Sequence, residues 1–193
     1  MTIASGVEER PTEFLFDVDS YLAMDWAGLF EGRRSVCLIG GRIYEMAPIS
    51  SGHGNGQLKL LRALDRLITW LGRADELGPV SATMIVGKRD APEPDLMIVP
   101  LRTDDSLYVA ADALLVCEIA WTSASTDLGQ MRMLYAQAGI PDYWVLEAKA
   151  QRLHIFRAPH DGDYAEAQVL APGDRVSPLF ANGAGDIAVA DLF

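Results

Sequence analysis

Two carboxylates stand inside apolar stretches of the sequence, where an ionised side chain is costly to bury. Asp95 opens the run DLMIVP, and Glu118 interrupts the run LLVCEIAW further along the chain. A buried carboxylate needs a partner. A divalent cation is one such partner, because Mg²⁺ takes one or two protein carboxylates and keeps several waters. If the two runs form neighbouring strands, both side chains can converge on one ion. A buried ion pair, for example between Glu118 and an arginine, is the alternative.

Two further residues have side chains that could take part in chemistry. His53 stands in the segment ISSGHGNG, where its imidazole could contact a phosphate or a metal-bound water. It could equally cap the following helix. Cys37 lies in the apolar run SVCLIG, where thiols are usually inert, so a nucleophilic Cys37–His53 pair is the weaker hypothesis. The glycines of ISSGHGNG are not a nucleotide-binding fingerprint, because no strand leads directly into a G-x-G-x-x-G turn.

The elements that must position these residues alternate between strand-like and helix-like patterns. Apolar residues at 58, 60, 61, 64, 67, 68 and 71 predict an amphipathic helix. VCLIGGRIYEMAP predicts a hairpin at Gly40-Gly41, LLVCEIAW a strand buried on both faces, and YWVLEAKAQRLHIFR a hairpin turning at 147–151. ISSGHGNG is predicted to be a loop, and residues 1–12 a loose polar arm. We therefore expect one α/β domain over 1–193, with a mixed central sheet flanked by helices and additional β-hairpins.

Composition limits the classes of function. The 193 residues carry a net charge of −11, from 16 basic and 27 acidic side chains. DNA affinity comes largely from Lys and Arg on phosphates, and only three of the basic residues are lysines. The charge therefore argues mildly against tight DNA binding. The N-terminus lacks a signal-peptide pattern, no apolar run is long enough for a membrane span, and both cysteines lie in apolar runs. A cytoplasmic protein with no membrane contact is expected.

Five segments in register resemble one family. They are LIGGRIYEMAPISSGH, EPDLMIVP, LLVCEIAWTSAST, LYAQAGIPDYWVLE and APGDRVSPLF. Together they are similar to the Uma-type restriction endonucleases, a bacterial branch of the PD-(D/E)XK nuclease superfamily, over residues 14–193. The resemblance implies the restriction-endonuclease-like fold and metal-assisted hydrolysis of phosphodiester bonds in DNA. It places Asp95 and Glu118 on the family's metal-binding carboxylates and the carbonyl of Ile119 as a further ligand of Mg²⁺ or Mn²⁺.

The sequence departs from the family's pattern at two positions. Cys37 stands where the family usually has a glutamate, and a thiol cannot replace a carboxylate as a ligand of Mg²⁺. Met131 stands where the family has a lysine that orients the attacking water. Arg132 could substitute only if its side chain turned back toward the site. The string Glu147-Ala148-Lys149 spells (D/E)XK literally, but it falls at a predicted hairpin turn, where both charges are expected to be solvated.

Two functions therefore remain open. The first is a Mg²⁺- or Mn²⁺-dependent endonuclease in which Asp95 and Glu118 hold the ion while His53 or Arg132 assists. The second is a catalytically degenerate nuclease fold that serves as a binding or oligomerisation module. Intact Asp95 and Glu118 favour the first, whereas the acidic charge and Met131 favour the second. The Met-, Tyr- and Trp-rich stretch 131–144 is a candidate surface for a homodimer.

Overall fold

The computed structural model describes residues 12–193, so the predicted arm lies outside the described residues except for residue 12. The chain forms four α-helices and twelve strands within that range. The helices are α1 (Val18–Trp26), α2 (Ser51–Trp70), α3 (Ala124–Thr126) and α4 (Arg132–Gln137). The strands are β1 (Val36–Ile39), β2 (Arg42–Glu45), β3 (Leu77–Val80), β4 (Met84–Ile85), β5 (Leu96–Pro100), β6 (Tyr108–Val109), β7 (Leu115–Ala120), β8 (Asp142–Glu147), β9 (Arg152–His160), β10 (Asp163–Leu170), β11 (Arg175–Val176) and β12 (Ile187–Ala188).

A six-stranded mixed sheet forms the centre of the structure. Its strand order is β10-β9-β8-β7-β5-β3. Only β7 and β8 are parallel, and they are joined by the helical segment that contains α3 and α4. The other neighbouring pairs are antiparallel. The predicted α/β class with a mixed central sheet and flanking helices is confirmed.

Side chains of the central strands alternate between two cores, as the period of a strand requires. One face of β7, carrying Leu115, Cys117 and Ile119, packs against the apolar side of α2. The opposite face, carrying Val116 and Ala120, packs against α4 and the inner side of β9 and β10. All six residues of β7 are buried, as predicted for a strand covered on both faces. Glu118 shares the face that looks toward α4.

The two predicted hairpins are present. β1 and β2 pair around Gly40 and Gly41, whose φ angles of 58° and 77° are those of a tight hairpin turn that glycine adopts readily. β8 and β9 pair around the turn that contains Lys149, and Glu147 there contacts His154 at 3.1 Å. The literal Glu-Ala-Lys string thus lies at a hairpin turn, as predicted.

Helix α2 begins earlier than predicted. The segment ISSGHGNG, expected to be a loop, is helical from Ser51, and the Ser50 hydroxyl caps the helix by accepting from the His53 amide at 3.2 Å. Each glycine weakens a helix by about 1 kcal/mol relative to alanine. The fold nevertheless needs one of them, because a Cβ on Gly52 would lie 2.4 Å from the ring of Trp121. The glycines let the first turn of α2 approach the end of β7.

The connection between β7 and β8 contains a π-helical turn, Asp127–Met131, between α3 and α4. Such turns commonly occur at functional sites. The Tyr143 hydroxyl donates to the Asp127 carbonyl at 2.9 Å and so satisfies a backbone acceptor within this turn. No periodicity in the sequence signalled this change of helical register.

Within residues 12–193, no helix combines the length and the apolar character that crossing a membrane requires. The assignment of the whole chain to one domain stays a prediction.

Asp142, at the start of β8, forms the most completely buried charge network of the described residues. Its carboxylate is fully buried and accepts from Arg157 Nε at 2.9 Å, Trp144 Nε1 at 2.9 Å and the Leu179 amide at 2.9 Å. It therefore joins β8, β9 and the C-terminal segment.

Asp142→Ala should lower the free energy of unfolding by about 3–5 kcal/mol, because it leaves the Arg157 charge without its buried partner. Urea unfolding followed by circular dichroism measures this change. Asp65→Ala, at an exposed position of α2, is the control and should shift stability by no more than about 0.5 kcal/mol. Equal stability of the two variants would contradict the role assigned to Asp142.

Candidate functional site

Asp95 and Glu118 lie side by side on neighbouring strands. Asp95 immediately precedes β5, and Glu118 lies in the middle of β7, with Leu96 paired to Cys117 between them. The Asp95 amide lies 3.3 Å from Glu118 Oε2 and donates to it. The Ile119 amide donates to Asp95 Oδ2 at 2.7 Å. Antiparallel pairing of β5 and β7 thus brings the two predicted metal-binding carboxylates together.

Glu118 is held in the core by a tyrosine. Tyr135 of α4, itself fully buried, donates its hydroxyl to Glu118 Oε1 at 2.7 Å. Burial raises the pKa of Glu118 well above its usual value, and the nearby charges of Asp95 and Asp127 raise it further. Within residues 12–193 no basic side chain forms an ion pair with Glu118. The alternative of a buried Glu–Arg pair is therefore not what the described residues form.

His53 contacts the first carboxylate from the N-terminal turn of α2. Its Nε2 lies 2.9 Å from Asp95 Oδ1, and Gln57, one turn later, donates to the Asp95 carbonyl at 2.7 Å. The hydrogen bond to Asp95 raises the pKa of His53, although burial opposes the rise. The cap of α2 is Ser50, to which His53 contributes only its backbone amide, whereas the His53 ring contacts Asp95. Its contact with a phosphate or a metal-bound water stays a prediction.

Asp127 supplies a further acidic group from the π-helical turn. The residue is only 7% exposed, and the Ser123 hydroxyl donates to its Oδ2. Burial raises the pKa of Asp127 to about 6, and the neighbouring Asp95 charge adds to the rise. Sequence reasoning missed this residue. No local pattern marks it, because the helical register changes at the π-helical turn between Asp127 and Tyr135.

These groups line one cavity of about 360 Å³. Its wall includes five carboxylates and one basic side chain, which is His53. The carboxylates belong to Glu45, Glu93, Asp95, Glu118 and Asp127. A wider groove of about 710 Å³ adjoins the cavity, shares Asp95 and His53 with it, and carries Arg34 and Trp121. The cavity is therefore rich in acidic groups, whereas the groove also carries a guanidinium group.

The two positions that depart from the family pattern also line the cavity. Cys37 is buried, its Sγ lies 3.7 Å from Met46 Sδ, and burial together with Glu93 and Glu118 raises the pKa of the thiol to about 11. A neutral thiol in that setting is a poor nucleophile. Met131 presents its side chain to the same cavity, where it supplies no charge.

Arg132 turns to a different surface. Its guanidinium donates to Asp163 of β10 at 2.8 Å and lies 5.4 Å above the Phe156 ring. Its assignment as a catalytic residue stays a prediction, and in this arrangement the side chain does not join the residues that line the cavity. The stretch considered for a homodimer contributes mostly core: Tyr135 and Trp144 are fully buried, whereas Met133 is 45% exposed.

The buried acids of the cavity make stability depend on pH. The folded-state pKa of Asp127, about 6, lies above the ordinary pKa of 3.8, so the folded protein holds more protons than the unfolded chain in that interval. The free energy of unfolding therefore falls as pH rises from about 4 to above 6, because Asp127 ionises less readily in the folded protein.

In a buffer that contains EDTA, the free energy of unfolding of Asp127→Asn should rise by about 3 kcal/mol relative to that of the wild type between pH 4 and pH 7. Urea unfolding at a series of pH values measures this, and a difference independent of pH would contradict it.

Comparison with known proteins identifies relatives of the chain. Residues 18–190 match the Uma2 family, which carries the description "Putative restriction endonuclease". A solved structure described as a putative nuclease belonging to DUF820 from Anabaena variabilis ATCC 29413 is similar in fold, with a TM-score of 0.70 and 15% sequence identity. The alignment covers 92% of this chain and 97% of that one. A search of curated proteins found no match. With a family match that spans most of its length and a nuclease-like fold, the chain belongs to the Uma2 family of restriction-endonuclease-like proteins.

Proposed function

We propose that this protein is a Mg²⁺- or Mn²⁺-dependent nuclease that hydrolyses phosphodiester bonds in DNA, with Asp95 and Glu118 as the ligands of the ion. Family membership supports the class of reaction. The observation that carries the proposal is the pair formed by Asp95 and Glu118, which neighbouring strands bring to the wall of one cavity. A cation bound between them would relieve their mutual repulsion and favour their ionised forms.

The residues present suit a hard divalent ion. Carboxylate oxygens are the ligands that Mg²⁺ and Mn²⁺ prefer. Across the described part of the chain, no three His, Cys, Asp or Glu side chains come close enough to form a metal-ligand group. An ion at Asp95 and Glu118 would therefore complete its coordination with water and backbone oxygen, as Mg²⁺ commonly does. The Ile119 carbonyl, which accepts from the Trp121 amide at 3.0 Å, is the proposed backbone ligand.

A bound divalent cation would supply a Lewis acid for the phosphate and lower the pKa of a coordinated water. The residues of the chain have separate tasks. Tyr135 holds Glu118 in place through the 2.7 Å hydrogen bond, and the Ile119 amide orients Asp95. His53, which contacts Asp95 and lines both the cavity and the groove, is the proposed contact to a phosphate oxygen. Arg34 lines the groove and offers a second phosphate contact.

One observation favours the alternative of a binding module. Each oxygen of Asp95 and of Glu118 already accepts a hydrogen bond from the protein or contacts His53, so the pair is accommodated without an ion. Met131 also leaves the cavity without a lysine. The two functions differ in whether the cavity binds a divalent cation.

Calorimetric titration of Mn²⁺ into the metal-free protein tests the proposal. The wild type should bind Mn²⁺, and Asp95→Asn and Glu118→Gln should each weaken binding by at least about tenfold, because each loses a charged ligand. Glu166→Gln, at an exposed position of β10, is the matched control and should leave the affinity unchanged. The measurement requires no knowledge of the DNA sequence that the protein recognises.

Absence of Mn²⁺ binding by the wild type at millimolar concentration would make the metal-dependent nuclease untenable, and the binding module would become the better description. Equal weakening in Glu166→Gln would show that general surface charge, and not the Asp95–Glu118 pair, attracts the ion.

A further inference from the structure

The carboxylates of the cavity differ in whether their oxygen atoms are already occupied. Asp95 and Glu118 each have both oxygens in contact with a hydrogen-bonding group. Glu93 accepts from the hydroxyls of Ser35 and Thr83, one at each oxygen. Glu45 accepts from the Arg34 amide and from the Arg33 guanidinium, again at different oxygens.

Asp127 is the exception. Within residues 12–193 its carboxylate accepts one hydrogen bond, from Ser123 to Oδ2, which leaves Oδ1 without a donor. The residue is only 7% exposed, and it lines the same cavity as Asp95, Glu118 and His53.

The surrounding structure holds Asp127 in this position. The Tyr143 hydroxyl donates to its carbonyl at 2.9 Å, and Ser123 fixes Oδ2, so the orientation of Oδ1 is determined from both ends of the residue. Asp127 Oδ1 is therefore a hydrogen-bond acceptor in a fixed orientation, and no donor of the described residues reaches it. In a cavity lined by acids, such an oxygen can accept a hydrogen bond from a water molecule that also interacts with a cation.

We propose that Asp127 is the general base of the site: its Oδ1 accepts a hydrogen bond, and then the proton, from the water that attacks phosphorus. This inference rests on the proposed nuclease function and adds to it a residue that the sequence patterns did not single out. The water oxygen forms the new P–O bond, and the water proton passes to Asp127 Oδ1. The P–O bond to the leaving group breaks, and its electron pair stays on the leaving oxygen, which takes a proton from solvent where its basicity requires one.

Hydrolysis of bis(4-nitrophenyl) phosphate by the full chain with saturating Mn²⁺ tests the assignment, because this activated diester requires no sequence recognition. Asp127→Asn should lower kcat by about 10²–10⁴-fold, the usual contribution of a general base, with KM within about threefold of the wild type. Asp127→Glu, which restores a carboxylate, should recover at least about tenfold of the lost rate. Calorimetry should show that Asp127→Asn keeps its Mn²⁺ affinity within about threefold, and thermal unfolding should show that it is folded.

Glu166→Gln is the control for the loss of one negative charge, because it removes a carboxylate at an exposed position of β10, outside the cavity. Its kcat should stay within about threefold of the wild type. An equal loss in Glu166→Gln and Asp127→Asn would overturn the proposal in favour of a general charge effect. Unchanged kcat in Asp127→Asn, or loss of its Mn²⁺ binding, would also overturn it, the latter by making Asp127 a ligand.

The test separates this inference from the proposed function. A wild type that binds Mn²⁺ but does not hydrolyse the diester contradicts the assignment of a general base and leaves the ion site in place. A wild type that binds no Mn²⁺ contradicts both.

Discussion

The burial of Glu118 in the middle of the central sheet is the constraint on which the arrangement of the site depends. A carboxylate at that depth needs donors, and it obtains them from the Asp95 amide on β5 and the Tyr135 hydroxyl on α4. The first contact fixes the residue that precedes β5 beside Glu118, and the second turns the face of α4 that carries Tyr135 toward the sheet. Asp95 is oriented in turn by the Ile119 amide, so each carboxylate depends on the backbone next to the other.

The opposite side of the site depends on close approach between a helix and a strand end. Because α2 carries glycine at 52, its first turn can lie against Trp121, three residues after Glu118. This approach brings His53 to Asp95. Glycine lowers the intrinsic stability of α2, but it lets the helix lie close to the end of β7. The Ser50 cap offsets part of the lost helix stability.

The sequence predicted those parts of the structure that follow from local pattern. The spacing of apolar residues predicted α2, the two hairpins and the buried strand β7. The apolar residues around Asp95 and Glu118 singled out these two carboxylates as candidates. The start of α2 was missed, because glycine-rich composition favours a loop unless a tertiary contact such as that of Gly52 with Trp121 demands a helix. Asp127 was missed because a π-helical turn and the hydroxyls that orient the residue come from tertiary packing, which periodicity does not report.

The two walls of the cavity belong to different hydrophobic clusters. The hairpin of β1 and β2 packs with α1, whereas Asp95, Glu118 and Asp127 project from the sheet and the helical segment beside it. Backbone bonds between Leu38 and Ala91 connect the hairpin to the segment that leads into β5. The width of the cavity therefore depends on how these backbone bonds place the hairpin against the segment that leads into β5.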